Sequence, residues 1–455
     1  MRQRKVIDLL PCGVLTVSLV LAFGTASAQP VSIDAKTLKK LQETIDQQQL
    51  LMQKQTQELK SQSEMLNSLQ KQVNDLSNKA SEAQTQAVQA KSKADMAADT
   101  ANKATEAAQA TAQREVTSGQ ERVKLAVSGQ VNRAVNIADD GKNTAAYYVD
   151  NDASNSRVRF MGNAKMTDDL TLGSRLEVAF APDESSQVSQ NNESPGDFIN
   201  ERWADVSLAS KQFGKISLGK GDTASNNTAE VDLSRTDVVA YSSVADIAGG
   251  MLFRQSSGNH NITTIKVSDA FNNQDGLSRQ SRVRYDTPSF YGFSLAGSAV
   301  SNQRADAALL WGGQGYGFQA AGAAAISNPN QDNTNYKYDG SFSILHEKTG
   351  LNLTLSAGLL DRDNQSDPTN LYAKLGWIAN FFDVGYTAFS VDYTRSLNLP
   401  TGTDDGYSIG AALVQSLDKF GTEIYLQYRL YSLDLDSGPS VENMNVGTIG
   451  ARIKF

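Results

Sequence analysis

Five arginines carry charge that could act on a solute if they faced one channel: Arg157 and Arg159, two residues apart, and then Arg175, Arg202 and Arg282. Between the last two lies an acid-rich stretch that contains Asp222, Glu230, Asp232, Arg235, Asp237 and Asp246. Guanidinium on one side of a water-filled throat and carboxylate on the other make a transverse field. Such a field orders water and dipolar solutes and sets ion preference without binding anything tightly. This is transport chemistry, and it breaks no covalent bond.

The constellations that serve catalysis are missing or misplaced. Gly406-Tyr407-Ser408-Ile409-Gly410 has nucleophile-elbow spacing but sits within an alternating stretch, not a strand-turn-helix. His260 and His346 are the only histidines and lie far apart, so neither a triad nor a histidine-based zinc site is indicated. Asp361, Asp363 and Asp367 have the spacing of a calcium loop, yet Ser366 replaces its glycine and Tyr372 its closing glutamate. The expectation is no enzyme, no cofactor and no metal. A net charge of −8 without a basic block argues against nucleic acid as a partner.

Charges can line a throat only if strands present them at period two. From Arg122 to Ile137, residues Val123, Leu125, Val127, Val131, Val135 and Ile137 point one way, and Lys124, Ser128, Gln130, Asn132 and Asn136 the other. Similar segments recur at about 155–166, 169–180, 201–210, 213–220, 279–287, 291–301, 304–312, 315–326, 335–346, 350–361, 368–379, 382–396, 403–416, 420–433 and 442–455, making 16. Short turns such as Thr167-Asp168-Asp169, Glu347-Lys348-Thr349 and Leu417-Asp418-Lys419 alternate with longer polar loops, the rim asymmetry of a membrane β-barrel. An even count puts both ends on the short-turn, periplasmic side, and strand parity points all five arginines inward. Tyr336, Tyr338, Phe342, Trp377, Phe381, Phe382, Tyr386, Tyr407 and Phe420 fall where interfacial girdles belong. The alternation fails from Arg202 to Leu208, where Asp205 and Ser207 share a face with Trp203; a strand at a subunit interface would tolerate that.

The N-terminal part follows other rules. Arg2, Arg4 and Lys5 precede an apolar stretch from Gly13 to Phe23, and Ala26-Ser27-Ala28 supplies small residues for cleavage, so 1–28 is expected to be a secretory signal that carries away Cys12, the single cysteine. A heptad seam then runs from Leu38 through Leu41, Ile45, Gln48, Met52, Gln55, Leu59, Gln62, Leu66, Leu69, Val73 and Leu76. It continues in register through Ala80, Ala83, Ala87, Ala90, Ala94, Ala97, Ala101, Ala104, Ala108 and Thr111. A 3.5-residue repeat predicts a left-handed coiled coil within 29–118, with heptads over 38–111. Its reach is about 110 Å at 1.5 Å per residue. Its alanine half resembles the trimeric alanine-zipper of murein lipoproteins.

Residues 122–455 resemble the Gram-negative trimeric porins. The likeness rests on Ser156-Arg157-Val158-Arg159-Phe160-Met161-Gly162, on Glu201-Arg202-Trp203-Ala204-Asp205-Val206-Ser207-Leu208 followed by Phe213-Gly214-Lys215-Ile216-Ser217-Leu218-Gly219, on Ser281-Arg282-Val283-Arg284-Tyr285-Asp286-Thr287-Pro288, and on the terminal Phe455. It implies an all-β transmembrane barrel of 16 antiparallel strands over 119–455, a homotrimer surrounded by outer-membrane lipid and lipopolysaccharide, and recognition of Phe455 by the barrel-assembly machinery. Arg157 and Arg202 match the family's arginine ladder by motif, whereas Arg175 and Arg282 rest on parity. The longest connection, Gly221 to Leu277, follows the fifth segment, where porins fold their third loop into the lumen. The expected constriction comprises Arg157, Arg159, Arg175, Arg202, Arg282, Glu230, Asp232 and Asp237. The loop lacks the family's Pro-Glu-Phe-Gly run, so the acid at the narrowest point stays unassigned. The leading function is a passive diffusion channel for small hydrophilic solutes and ions in the Gram-negative outer membrane, with the coil as a periplasmic spacer. The alternatives are a structural tether to peptidoglycan and a substrate-selective porin, such as the dicarboxylate-transporting porins that carry an N-terminal coil.

Overall fold

The computed structural model describes part of residues 36–75, then 114–117, 123–196, 199–331 and 333–455. The expected signal 1–28, the alanine half of the heptad seam and seam positions Leu38, Leu41, Gln55, Leu59, Gln62, Leu66, Leu69, Val73 and Leu76 lie outside the described residues. The chain divides into two units, Met1–Thr85 and Gln86–Phe455. In the first, every described residue is helical, and the hydroxyls of Thr44 and Thr56 donate to the carbonyls four residues earlier, Lys40 at 2.9 Å and Met52 at 2.7 Å.

The second unit is a closed antiparallel barrel. Its strands are β1 (Arg114–Thr117), β2 (Val123–Asp139), β3 (Thr144–Asp150), β4 (Arg157–Lys165), β5 (Leu170–Ala179), β6 (Asn200–Ser210), β7 (Gly214–Asp222), β8 (Leu252–Arg254), β9 (Ile262–Lys266) and β10 (Arg279–Asp286). They continue as β11 (Phe293–Val300), β12 (Arg304–Gly315), β13 (Phe318–Asn328), β14 (Thr334–His346), β15 (Leu351–Arg362), β16 (Thr369–Phe382), β17 (Gly385–Leu397), β18 (Asp405–Leu417), β19 (Thr422–Asp434) and β20 (Met444–Lys454). Eighteen of them form one sheet, closed where β2 pairs β20, with Val131 opposite Ile453 and Val135 opposite Ile449. Sixteen staves result, because β3 and β4 follow one another along one stave beside β2 and β1 is a short addition at the seam.

Period-two patterning sets which side chains face lipid and which the lumen. On β2, Val131 and Ile137 are 50% and 51% exposed, whereas Asn132 and Asn136 are 0% and 1%. The turns at 166–169, 211–213, 316–317, 347–350 and 383–384 are short and share a rim with both ends of the barrel; the loops at 180–199 and 223–278 are long and occupy the other. Among the described residues no helix is long and apolar enough to cross a membrane, so strands do the crossing.

Two features depart from the sequence reading, the position of β1 and the face of Tyr386. β1 lies within the stretch assigned to the coil, and it pairs β2 from Arg114 opposite Val127 to Thr117 opposite Lys124, just past the end of β20. Gly129 faces the terminal ring: a Cβ there would lie 2.6 Å from Phe455, so the seam fits only glycine. Tyr386 is no girdle residue, because it donates from the lumen side to Glu423 at 3.1 Å and carries Arg235 over its ring.

Candidate functional site

Residues 223–278 fold into the barrel and include the hairpin β8–β9. Irregular backbone inside a barrel needs hydrogen-bond partners, and inward polar side chains of the wall provide them. Val231 and Leu233 amides donate to Ser341 Oγ at 2.8 Å and Ser343 Oγ at 3.0 Å. Carbonyls of Val244, Ile247 and Ala270 accept from Tyr431, Asn136 and Ser396 at 2.7, 2.6 and 2.6 Å. Apolar loop residues Val239, Met251, Phe253 and Phe271 pack with Tyr372, Val414, Tyr431 and Val446 of the wall. The loop therefore lines the β14–β20 side and leaves the lumen open toward β4–β6.

Lys374 on β16 is the buried anchor of this arrangement. Its Nζ donates to Asp232, to Ala240 O at 2.7 Å and to Thr236 Oγ1 at 3.3 Å. Asp232, expected at the constriction, is thus behind the loop rather than in the throat, because a buried lysine claims its charge.

The opposite wall carries the arginines. Glu177 of β5 is fully buried among Arg157, Arg159 and Arg202, with ion-pair distances of 3.8, 2.5 and 2.7 Å. Asp205 of β6 holds Arg175 at 2.5 Å and Arg282 at 2.8 Å. Arg282 is 1% exposed and also donates to the carbonyls of Asp222 and Gly219, each at 2.9 Å, so it ties β10 to the base of the loop instead of facing solute. All five arginines are inward, yet their nearest carboxylates belong to their own wall. Parity finds direction, not partners, which is why Glu177 and Asp205 went unassigned.

The apparent failure of alternation at Arg202–Leu208 is corrected as well. A bulge opposite Glu177 and Val178 leaves Arg202 unopposed, so Arg202, Trp203, Asp205 and Ser207 all face the lumen while Val206 and Leu208 face out. No interface is needed to explain it.

Wall and loop meet at a cavity of about 730 Å³. Arg157, Arg159, Arg202, Trp203, Arg279, Lys337 and Arg452 line it together with Asp152, Asp222, Glu230, Asp237, Tyr241, Asp246 and Asp275. Arg175, Arg282 and Asp232 are not among its lining residues. The segment 151–156, which interrupts the second stave, adds Ser154 and Asn155; Ser154 Oγ accepts from Arg157 at 2.9 Å and Arg452 at 2.7 Å. Sequence reasoning missed Arg452, whose strand ends the chain, and Arg279, beside Asp222 at 3.2 Å.

The loop acids have few cations to oppose them. Burial, with Asp275 nearby, pushes Glu230 well above the ordinary carboxylate range, and burial beside Asp152 pushes Asp246 up to about 7. Acidification from about pH 8 to about pH 5 is therefore expected to protonate the loop while the arginines keep their charge. Ion preference should move toward anions, measured as the zero-current potential in a KCl gradient. Asp246→Asn should flatten that change near neutrality.

Ser408 of the elbow-like motif lies inside β18, fully buried, and accepts from Arg429 at 3.1 Å, as a wall residue rather than a nucleophile.

Residues 96–448 match the family model described as Gram-negative porin. No curated protein sequence matches the chain. An anion-selective porin from Comamonas acidovorans is similar at 15% identity, covering 73% of this chain and 100% of that one, with a TM-score of 0.50. The outer membrane channel DcaP of Acinetobacter baumannii is similar at 12% identity over 75% and 100% of the two chains, TM-score 0.49. OmpT of Vibrio cholerae, an outer membrane protein in trimer form, is 14% identical over 74% and 100%, TM-score 0.49. With a barrel closed on itself, a loop folded into its lumen and the family match over most of its length, the chain belongs to the Gram-negative porin family.

Proposed function

We propose that this outer-membrane porin, a passive diffusion channel, selects among small hydrophilic solutes at the cavity between the third loop and the β4–β6 wall. The observation that carries the reading is the imbalance of charge: guanidiniums exceed carboxylates around Glu177 on the wall, and the loop brings Glu230, Asp237, Asp246 and Asp275 to the same cavity. Within a low-dielectric throat this arrangement favours solutes that can align with the field. Arg157, Arg159, Arg202, Glu230 and Asp237 act on the solute, while Arg175, Arg282 and Asp232 hold wall and loop in place.

The assembly proposed is a homotrimer with an N-terminal coiled coil in the periplasm. Support comes from the helical backbone around the seam residues Ile45 and Met52, both exposed in the single chain, and from the threefold axis that a coil and a barrel can share. Purified protein in planar bilayers should give an ohmic conductance that closes in three equal steps. Deleting 31–111 while keeping the signal should leave each step unchanged. If the shortened protein no longer sediments with sacculi in mild detergent, the coil also serves as the tether; if it still does, the coil is an assembly device. Loss of conductance in the full-length protein would overturn the channel reading itself.

A further inference from the structure

We propose that Trp203 is a specificity-determining residue: a partition that keeps the surplus positive charge of the wall in the cavity and Arg175 out of it. This rests on the charged constriction proposed above. The guanidinium carbon of Arg159 lies 4.2 Å from the indole centroid and that of Arg175 lies 4.3 Å from it. Register places them on different sides. Arg159 opposes Glu177, which opposes Trp203 in the same row; Arg175 lies one inward position nearer the turn rim, where it opposes Asp205. Both guanidiniums thus lie against the indole, whose buried Nε1 has no hydrogen-bond partner among the described residues.

Two acid-centred clusters are kept apart in this way. Arg157, Arg159 and Arg202 share the single charge of Glu177 and line the cavity. Arg175 and Arg282 share Asp205, and neither lines it, although Arg175 also reaches to 4.0 Å of Asp222, which does. Arg175 and Glu177 are neighbouring inward residues of β5, so without the ring only the two hydrogen bonds from Arg175 to Asp205, at 2.9 and 2.5 Å, hold its charge back from Glu177 and the cavity beyond. Pairing with Glu177 puts the ring there, in regular alternation with Asp205, and the one-residue bulge brings Arg202 inward beside it.

The test is a double-mutant cycle in planar bilayers, read as the chloride-to-potassium permeability ratio in a KCl gradient. Trp203→Ala should raise the ratio about threefold, the scale of one partly desolvated cation–π contact. Arg175→Gln alone should change it little, and Arg175→Gln added to Trp203→Ala should return it to the wild-type value. Trp203→Phe, which keeps a π face, should behave as wild type. A flat response to Trp203→Ala, or a shift that survives Arg175→Gln, overturns the partition. If Trp203→Ala does not fold, Arg175→Gln decides by itself: a shift as large as that from the cavity arginines refutes shielding. Should removal of the cavity arginines leave the ratio unchanged, the charged-constriction reading fails; should that removal act while the cycle is flat, only the partition fails.

Discussion

Replacing Arg157, Arg159, Arg202 and Glu177 together by glutamine is expected to raise the potassium-to-chloride permeability ratio about tenfold, the low end of what a charged cleft does to local ion concentration. The four are changed as a set because Glu177 is fully buried and its charge is balanced by these three guanidiniums. Removing the arginines alone would strand a buried carboxylate, at a cost of about 3–5 kcal/mol. Glutamine matches Glu177 in shape but is shorter than arginine and offers fewer N–H donors, so the single-channel conductance recorded alongside separates loss of charge from a wider bore. At about pH 8, above the pKa of about 7 of Asp246, the remaining acids Asp152, Asp222, Asp237, Asp246 and Asp275 outnumber the remaining cations Arg279, Lys337 and Arg452. The shift should shrink between about 0.1 M and about 1 M salt as the screening length falls from roughly 10 Å to roughly 3 Å. An unchanged zero-current potential at the lower salt would remove the β4–β6 wall from the ion path.

Lys374→Met should free the third loop. The ammonium is 0% exposed and serves Asp232, Thr236 and Ala240 from a single point. Methionine fills most of the same volume but leaves Asp232 buried without its partner, which costs about 3–5 kcal/mol. The expected result is a wider, noisier conductance and a lower temperature for the heat-induced mobility shift on gels. Pairing Lys374→Met with Asp232→Leu should recover stability, since a buried ion pair and an apolar pair of similar size are often nearly equivalent. A single variant with wild-type conductance and heat resistance would show that the serine and asparagine contacts hold the loop without the lysine.

The staves other than β6 were legible as alternation, because a wall between lipid and water has to sort its side chains at period two. The features that escaped are those where pairing, not composition, decides. The second stave is split by 151–156, whose polar residues bend into the lumen, and nothing in a single strand's sequence announces that excursion. Alternation looked broken at Trp203 because the unopposed Arg202 before it turns to the same face. Arg282 and Asp232 carry the right charges in the right segments, but burial against Asp205 and Lys374 removes them from the throat. The acids on the loop were visible as a cluster; which of them face the cavity depended on where the inner wall offers hydroxyls to the loop backbone.

The bulge in β6 also bears on how such a pore changes over generations. Glu177 opposes Trp203 and Val178 opposes Glu201, so Arg202 has no counterpart in the ladder. Loss of that one codon would restore regular pairing without turning any neighbouring side chain through the wall, whereas a deletion elsewhere in the strand exchanges inward for outward residues. A lineage can gain or shed one throat arginine at this position while the remaining strands keep their alignment. Selectivity here is open to change by single insertion or deletion, in small steps and without rebuilding the barrel.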